Sequence, residues 1–271
     1  FFKQKTAYEI AEKNGDVYML GHIVHNENVV KDLDTAGAKV INSLEDIPNN
    51  NPILFRAHGT TVETWNDAKA KHINIVDATC PLVLEIHAEV KKLEAEGRTI
   101  IIIGDHGHDE VVGIASQVKD AIIVSSPDEA KSLRKMKQAG VVSQSTQTIE
   151  NVQEIINIIM TKVFDLRFVN TICYPTKRNQ SQIKELAKQC DVMIVIGSYT
   201  SANSKRLTAL AKERNAHSFQ VTCANEINPK WLKSAEIVGV SAGASTPDNI
   251  IDEVLTKIKE IGQVPEETIY G

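Results

Sequence analysis

The sequence is poor in the features that would tie it to an extracellular scaffold, a nucleic acid or a bilayer. Its 271 residues include only four cysteines, 5% aromatics and 24% charged residues, and the formal net charge is -5. Cys80, Cys173, Cys190 and Cys223 are too few and too scattered for a disulfide framework. In a reducing compartment each reads instead as a metal ligand, a reactive thiol or a packed residue. The negative balance removes the broad electrostatic attraction on which nucleic-acid binders depend. No apolar run approaches the ~20 residues of a membrane span, and no basic start followed by a long apolar stretch reads as a secretory signal. The expectation is a cytoplasmic protein with neither nucleic acid nor membrane as partner.

What is present is a regular alternation. Short β-branched runs such as "TIIIIGDHG", "DVMIVIGSYT" and "AEIVGVSAG" alternate with amphipathic stretches such as "PLVLEIHAEVKKLEAEG" and "SANSKRLTALAKERN". This predicts an α/β fold with mainly parallel strands. Cys80 and Cys173 stand in similar contexts, each after a Thr-containing approach and just before a helix, which suggests a weak internal repeat of about a hundred residues, the size of a small domain. Three small α/β domains, at 1–79, 80–172 and 173–271, with their strand-end turns meeting around a common centre, fit this better than one extended sheet, and two domains stay open as the alternative. Function is expected in those turns, where α/β folds build ligand sites.

In "DATCPLV", Cys80 precedes Pro81, a favoured first residue of a helix, and Leu82, Ile86, Val90 and Leu93 mark that helix's apolar face. A helix N-terminus stabilises negative charge and so favours a thiolate that ligates iron or attacks a substrate; a packed structural cysteine is the alternative. Cys173 has Lys177 and Arg178 nearby, Cys190 reads as a core residue, and Cys223 at a strand end is ambiguous. His25, His58 and His108 all follow strand-like runs in polar turns, as if converging on one pocket. "GSYTSANSKRL" adds Ser198, Thr200, Ser201 and Asn203, and "GVSAGASTPDN" adds Ser241, Ser245 and Thr246. Such hydroxyls and amides beside helix N-termini suit an anionic ligand such as a diphosphate, although caps and turns use the same residue types. Glu110, two residues after His108, could transfer a proton if held in a closed pocket.

Taken in order, "GHIVHNENVV", "RAHGT", "DATCPLV", "GHDEVVG", "SQST", "NTICYPTKRNQ", "GSYTSANSKRL" and "GVSAGASTPD" resemble the 4-hydroxy-3-methylbut-2-enyl diphosphate reductase family, IspH or LytB, over nearly the whole chain. The resemblance implies three α/β domains in pseudo-threefold array around a 4Fe-4S cluster. It implies reductive removal of a hydroxyl to give isopentenyl and dimethylallyl diphosphates, with reduced ferredoxin or flavodoxin as electron donor. By motif, Cys80 and Cys173 are two of three cluster ligands. His25, His58, His108, Ser201, Asn203 and Ser245 match diphosphate-binding positions, Glu110 the proton-delivering carboxylate, and Ser145 with Thr146 the hydroxyls beside the substrate alcohol. Ala202 stands where some members have a second serine.

The third family cysteine lies in an N-terminal Gly-Phe-Cys segment that the opening "FFKQKTAYEI" does not match. Lys3 to Glu9 reads as the translation of a common sequencing-adapter end, so residues 1 to about 9 are expected to be a translated artefact, with native sequence resuming near Ile10 or Ala11. The chain as written is then expected to be inactive for want of a third thiolate. Two alternatives stay open. One is a zinc-dependent hydrolase of a phosphorylated substrate using His25, His58 and His108 with Glu110 as base. The other is a non-catalytic diphosphate-binding module.

Overall fold

The computed structural model describes residues 17–21, 26–48 and 51–262. Eleven strands and ten helices alternate along these residues in three sheets, every strand pair parallel. The first sheet comprises β1 (Val17–Leu20), β2 (Ala38–Ile41), β3 (Ile53–Phe55) and β4 (Ile75–Asp77), in the order β2-β1-β3-β4. Helices α1 (Glu27–Thr35) and α2 (Val62–Ala70) connect its strands. The second sheet, entered through α3 (Pro81–Ala95), comprises β5 (Thr99–Ile103), β6 (Ala121–Val124), β7 (Met136–Ser143) and β8 (Val163–Phe168), in the order β6-β5-β7-β8. Helices α4 (Asp109–Ala115), α5 (Pro127–Ser132) and α6 (Ile149–Met160) lie between those strands in the chain. The third, entered through α7 (Tyr174–Gln189), comprises β9 (Val192–Ile196), β10 (Ser218–Val221) and β11 (Val238–Ala242), in the order β10-β9-β11. Its helices are α8 (Ala202–Lys212), α9 (Pro229–Leu232) and α10 (Asp248–Gly262).

The chain divides into two compact units, Phe1–Val24 with Val30–Cys173 and His25–Val29 with Tyr174–Gly271. The first two sheets fall in the first unit and the third sheet in the second.

Why these strands sit at the centre follows from side-chain alternation. In β5, Ile101 and Ile103 pack on one face with Val152, Ile155 and Ile159 of α6. Ile100 and Ile102 pack on the other with Ile86, Val90 and Leu93 of α3 and Val111 and Ile114 of α4. A strand covered on both faces needs an unbroken apolar run, which "TIIII" supplies. The same logic runs through "VMIVI" in β9, where Val192, Ile194 and Ile196 meet Val254 and Ile258 of α10 while Met193 and Val195 meet Ile183 of α7 and Leu207 of α8. In the first sheet, Phe55 packs edge-on against Trp65 of α2 with ring centroids 5.0 Å apart.

Cys80 caps α3 with Pro81 directly after it, as the sequence predicts. The buried stripe of that helix is Val83, Ile86, His87, Val90 and Leu93, so Val83 replaces the expected Leu82, which is only half-buried. Cys190 is buried between α7 and β9, and burial pushes its thiol pKa up, consistent with a packed residue rather than a thiolate.

Candidate functional site

In the first unit the chemistry-bearing turns are joined by a continuous series of short contacts. Cys80 N donates to Ala57 O at 2.9 Å, which ties the cap of α3 to the turn that follows β3. The next residue in that turn is His58, whose ring meets the His108 ring edge-on, with centroids 5.6 Å apart and planes at 87°. His108 caps α4, and its Nδ1 accepts from Glu110 N at 3.2 Å. An imidazole used as an N-cap acceptor must be unprotonated at that nitrogen, which fixes the orientation of the ring. Glu110 is 1% exposed and is gripped from β7's end. Ser145 N donates to its Oε1 at 2.5 Å and Ser145 Oγ to its Oε2 at 2.9 Å. Ser145 O in turn accepts from Cys173 N at 3.0 Å.

Behind this series lies a residue that sequence reasoning missed. His87 is 8% exposed, and its Nε2 has no hydrogen-bond partner. Its ring lies where a Cβ on Gly59 would meet Cε1 at 3.0 Å, and Gly59 holds φ at +90°. Only glycine combines that backbone with that proximity. Burial, reinforced by the nearby Lys91, pulls the His87 pKa down to about 4, so the ring is a neutral wedge against the His58 turn at pH 7. The available signal was positional: His87 falls in the buried stripe of α3. Arg56 adds a second tie across the same turn, its Nη1 lying 2.6 Å from Asp109 Oδ2 at the first position of α4.

Thr146 Oγ1 accepts from Gln144 Nε2 at 2.9 Å, and the Gln144 Oε1 accepts from Asp105 N at 3.0 Å. These bonds pack the "SQST" turn against the one that leads to His108.

The second unit presents a different set of groups. Ser201 caps α8 by accepting from Ser204 N at 3.3 Å. Asn203 and Ser204, at 9% and 1% exposure, leave Asn203 Nδ2 and Ser204 Oγ without partners. Buried donors are rarely left so, and each is suited to a ligand oxygen. Ser204 was not singled out from sequence. Two glycines make room for it, since a Cβ on Gly197 would fall 2.2 Å from Ser204 Oγ and one on Gly243 2.3 Å from it. Ser245 O accepts from Asn26 Nδ2 at 3.1 Å, which attaches the second turn to the start of α1. Ser198 and Thr200 are already engaged: Ser198 Oγ donates to Glu27 Oε1 at 2.7 Å and accepts from Thr200 N at 3.0 Å. His25 and the opening residues 1–9 lie outside the described residues.

The model of the LytB protein family matches residues 4–259. The chain belongs to the LytB family. Two curated members named 4-hydroxy-3-methylbut-2-enyl diphosphate reductase, from Geobacter sulfurreducens and Geobacter metallireducens, are 40% and 42% identical to it, each alignment covering 94% of this chain and 90% of the relative. Among solved structures, the E-1-hydroxy-2-methyl-but-2-enyl-4-diphosphate reductase of Plasmodium falciparum superposes with a TM-score of 0.91 at 28% identity, over 95% of this chain and 83% of that one. A second, described as (E)-4-hydroxy-3-methyl-but-2-enyl diphosphate reductase, the terminal enzyme of the non-mevalonate pathway, gives 0.70 at 34% identity over 96% and 95%. The motifs that placed this LytB chain in its family are the same strand-end turns whose contacts are traced above.

For the iron-sulfur cluster that the resemblance implies, the donor set is incomplete among the described residues. Among the described residues no group of three or more His, Cys, Asp or Glu side chains is placed to hold a metal ion. Cys80 and Cys173 are half-buried thiols in no disulfide, a donor type suited to iron, and among the described residues no third ligand joins them. A 4Fe-4S cluster takes more thiolates than that pair provides. The three-histidine zinc reading includes His25, which lies outside the described residues.

Proposed function

We propose that the site is that of an enzyme reducing (E)-4-hydroxy-3-methylbut-2-enyl diphosphate to isopentenyl and dimethylallyl diphosphates, the last step of the methylerythritol phosphate route, and that the 271 residues as written are inactive for want of a third cluster thiolate. Family membership supports the reaction. The observation that carries the residue assignment is Glu110, buried to 1% exposure with both carboxylate oxygens taken by Ser145. The net reaction takes up two electrons and two protons, breaks one C–O bond and releases water. Glu110 supplies the proton that turns the departing hydroxyl into water, and Ser145, with Thr146 beside it, orients the substrate alcohol. A carboxyl group so enclosed is shielded from bulk water and confined to one geometry, as a general acid requires.

His25, His58, His108, Ser201, Asn203 and Ser245 hold the diphosphate. The partnerless Asn203 Nδ2 supports that role. Cys80 and Cys173 supply two of three cluster ligands, and reduced ferredoxin or flavodoxin is the electron donor. The chain is organised as three α/β domains, 1–79, 80–172 and 173–271, each holding one sheet. Among the described residues no helix is long and apolar enough to cross a membrane, and we place the enzyme in the cytoplasm.

Calorimetric titration with the substrate tests the binding half without requiring the cluster. The wild type should bind and Glu110→Gln should bind equally well; no binding by the wild type would overturn the assignment. In protein supplied with a third cluster thiolate and reconstituted anaerobically, product formed per bound iron should fall in Glu110→Gln, and equal product would remove Glu110 from its role.

A further inference from the structure

The turn between β9 and α8 depends on a side chain from the neighbouring strand. In the parallel ladder of β9 and β10, Gln220 pairs with Val195 and Val221 with Ile196. The ladder closes when Gly197 N donates to Val221 O at 2.8 Å. The next two carbonyls, of Gly197 and Ser198, have left the ladder, and both accept from Gln220 Nε2, at 3.0 and 2.9 Å. Only the NH2 end of an amide can serve two carbonyls, so these contacts fix which way the amide faces. Its Oε1 then lies 3.2 Å from Thr208 Oγ1, within α8 itself. The backbone carbonyl of Gln220 accepts from Tyr199 Oη at 3.1 Å, and that hydroxyl also lies 2.9 Å from Glu226 Oε2. Three consecutive residues, Gly197, Ser198 and Tyr199, are therefore held by one residue of β10.

We propose that Gln220 is a positioning residue for this turn, fixing the Gly197 and Ser198 carbonyls so that the first N–H groups of α8 stay presented to an anion. The inference rests on the reading that this turn takes part of a diphosphate. Ser198 Oγ is bound to Glu27 and the two carbonyls to Gln220, so the turn's own polar groups are consumed internally. The remaining donors are the N–H groups of Ala202 and Asn203, which open the helix and have no intrahelical acceptor, together with Asn203 Nδ2 and Ser204 Oγ. Carbonyls that swung inward would set partial negative charge against the ligand. Gln220 prevents this without itself touching the ligand.

The test is calorimetric titration of the whole 271-residue protein with inorganic pyrophosphate. Gln220→Glu keeps the shape and loses both donors, and Gln220→Met keeps the length and loses all polarity. Both should bind about tenfold more weakly than the wild type, the scale of one or two hydrogen bonds. Ile258→Val, in the core of the same unit, controls for lost stability and should bind as the wild type does. If both Gln220 variants bind like the wild type, or lose no more affinity than Ile258→Val at matched urea midpoints, the proposal fails while the diphosphate reading stands. If the wild type itself does not bind pyrophosphate, the diphosphate reading fails and the proposal falls with it.

Discussion

The strand-end turns of the two units are built from opposite chemistry. Those of the first hold titratable groups, His58, His108, Glu110 and two thiols, linked one to the next by hydrogen bonds and ring contact. Those after β9 and β11 in the second hold hydroxyls and amides that change no charge near neutral pH, and two buried donors there have no partner. A buried carboxylate with every oxygen satisfied is equipped to keep or release a proton at a chosen atom. A set of neutral donors at a helix start is equipped to hold an anion whose charge it does not alter. One strand-end location thus carries titratable groups in the first unit and neutral donors in the second.

The largest effect should separate those two roles. In protein supplied with a third cluster thiolate, Glu110→Gln should lower product formation by about 100-fold to 10,000-fold, the range for loss of a general acid, with pyrophosphate affinity unchanged by calorimetry. A parallel loss of affinity would mean that the first unit's carboxylate also serves retention. On the other side of the comparison, Gly197→Ala forces a Cβ to within 2.2 Å of Ser204 Oγ. It should lower stability by about 1–3 kcal/mol, as overpacking does, and weaken pyrophosphate binding; urea denaturation and calorimetry would read the two effects.

Next comes the pH dependence of the first unit. His87 has a folded pKa near 4 against an ordinary value of 6.5, so the unfolded chain takes up its proton first as the medium is acidified. Stability should fall as pH drops from about 6.5 toward 4, by about 2 kcal/mol at pH 5 relative to pH 8. His87→Gln should remove that part of the slope in urea midpoints measured across the range, and an unchanged slope would show the ring to be solvated. The smallest effect is expected at the surface, where Lys71 pairs with Glu45 and Asp67. Exposed pairs of this kind contribute little, and Lys71→Met should leave both the urea midpoint and pyrophosphate affinity within error.

Iron loading bears on the same division. If the cluster belongs to the first unit's chemistry, anaerobic reconstitution of these 271 residues should give iron and acid-labile sulfide well below a full cluster, because Cys80 and Cys173 are the two thiols in family motifs. A full complement would point to an unexpected ligand, and Cys223 would be the first to replace.

Much of this was written locally. The α/β class follows from apolar runs such as "TIIII" and "VMIVI", because a strand covered on both faces admits no polar position. Cys80 as a helix cap follows from Pro81, whose ring suits the first helical residue and whose missing N–H costs nothing there. The motif order identified the family because the turns that bind and react are short contiguous stretches. The partners across those turns were not legible. That Ser145 grips Glu110 from 35 residues away, that His87 wedges under Gly59, and that Gln220 holds a turn more than 20 residues earlier in the chain depend on which strands become neighbours. A glutamine in a strand or a histidine in a helix carries no local mark of the carbonyl or glycine it will meet. Hydrogen-bond partnership and burial arise only when parallel pairing brings distant strand ends side by side. The sequence alone therefore determined the fold class, the helix starts and the family, while tertiary packing decided which groups are satisfied, which are left as open donors, and which residues keep them in place.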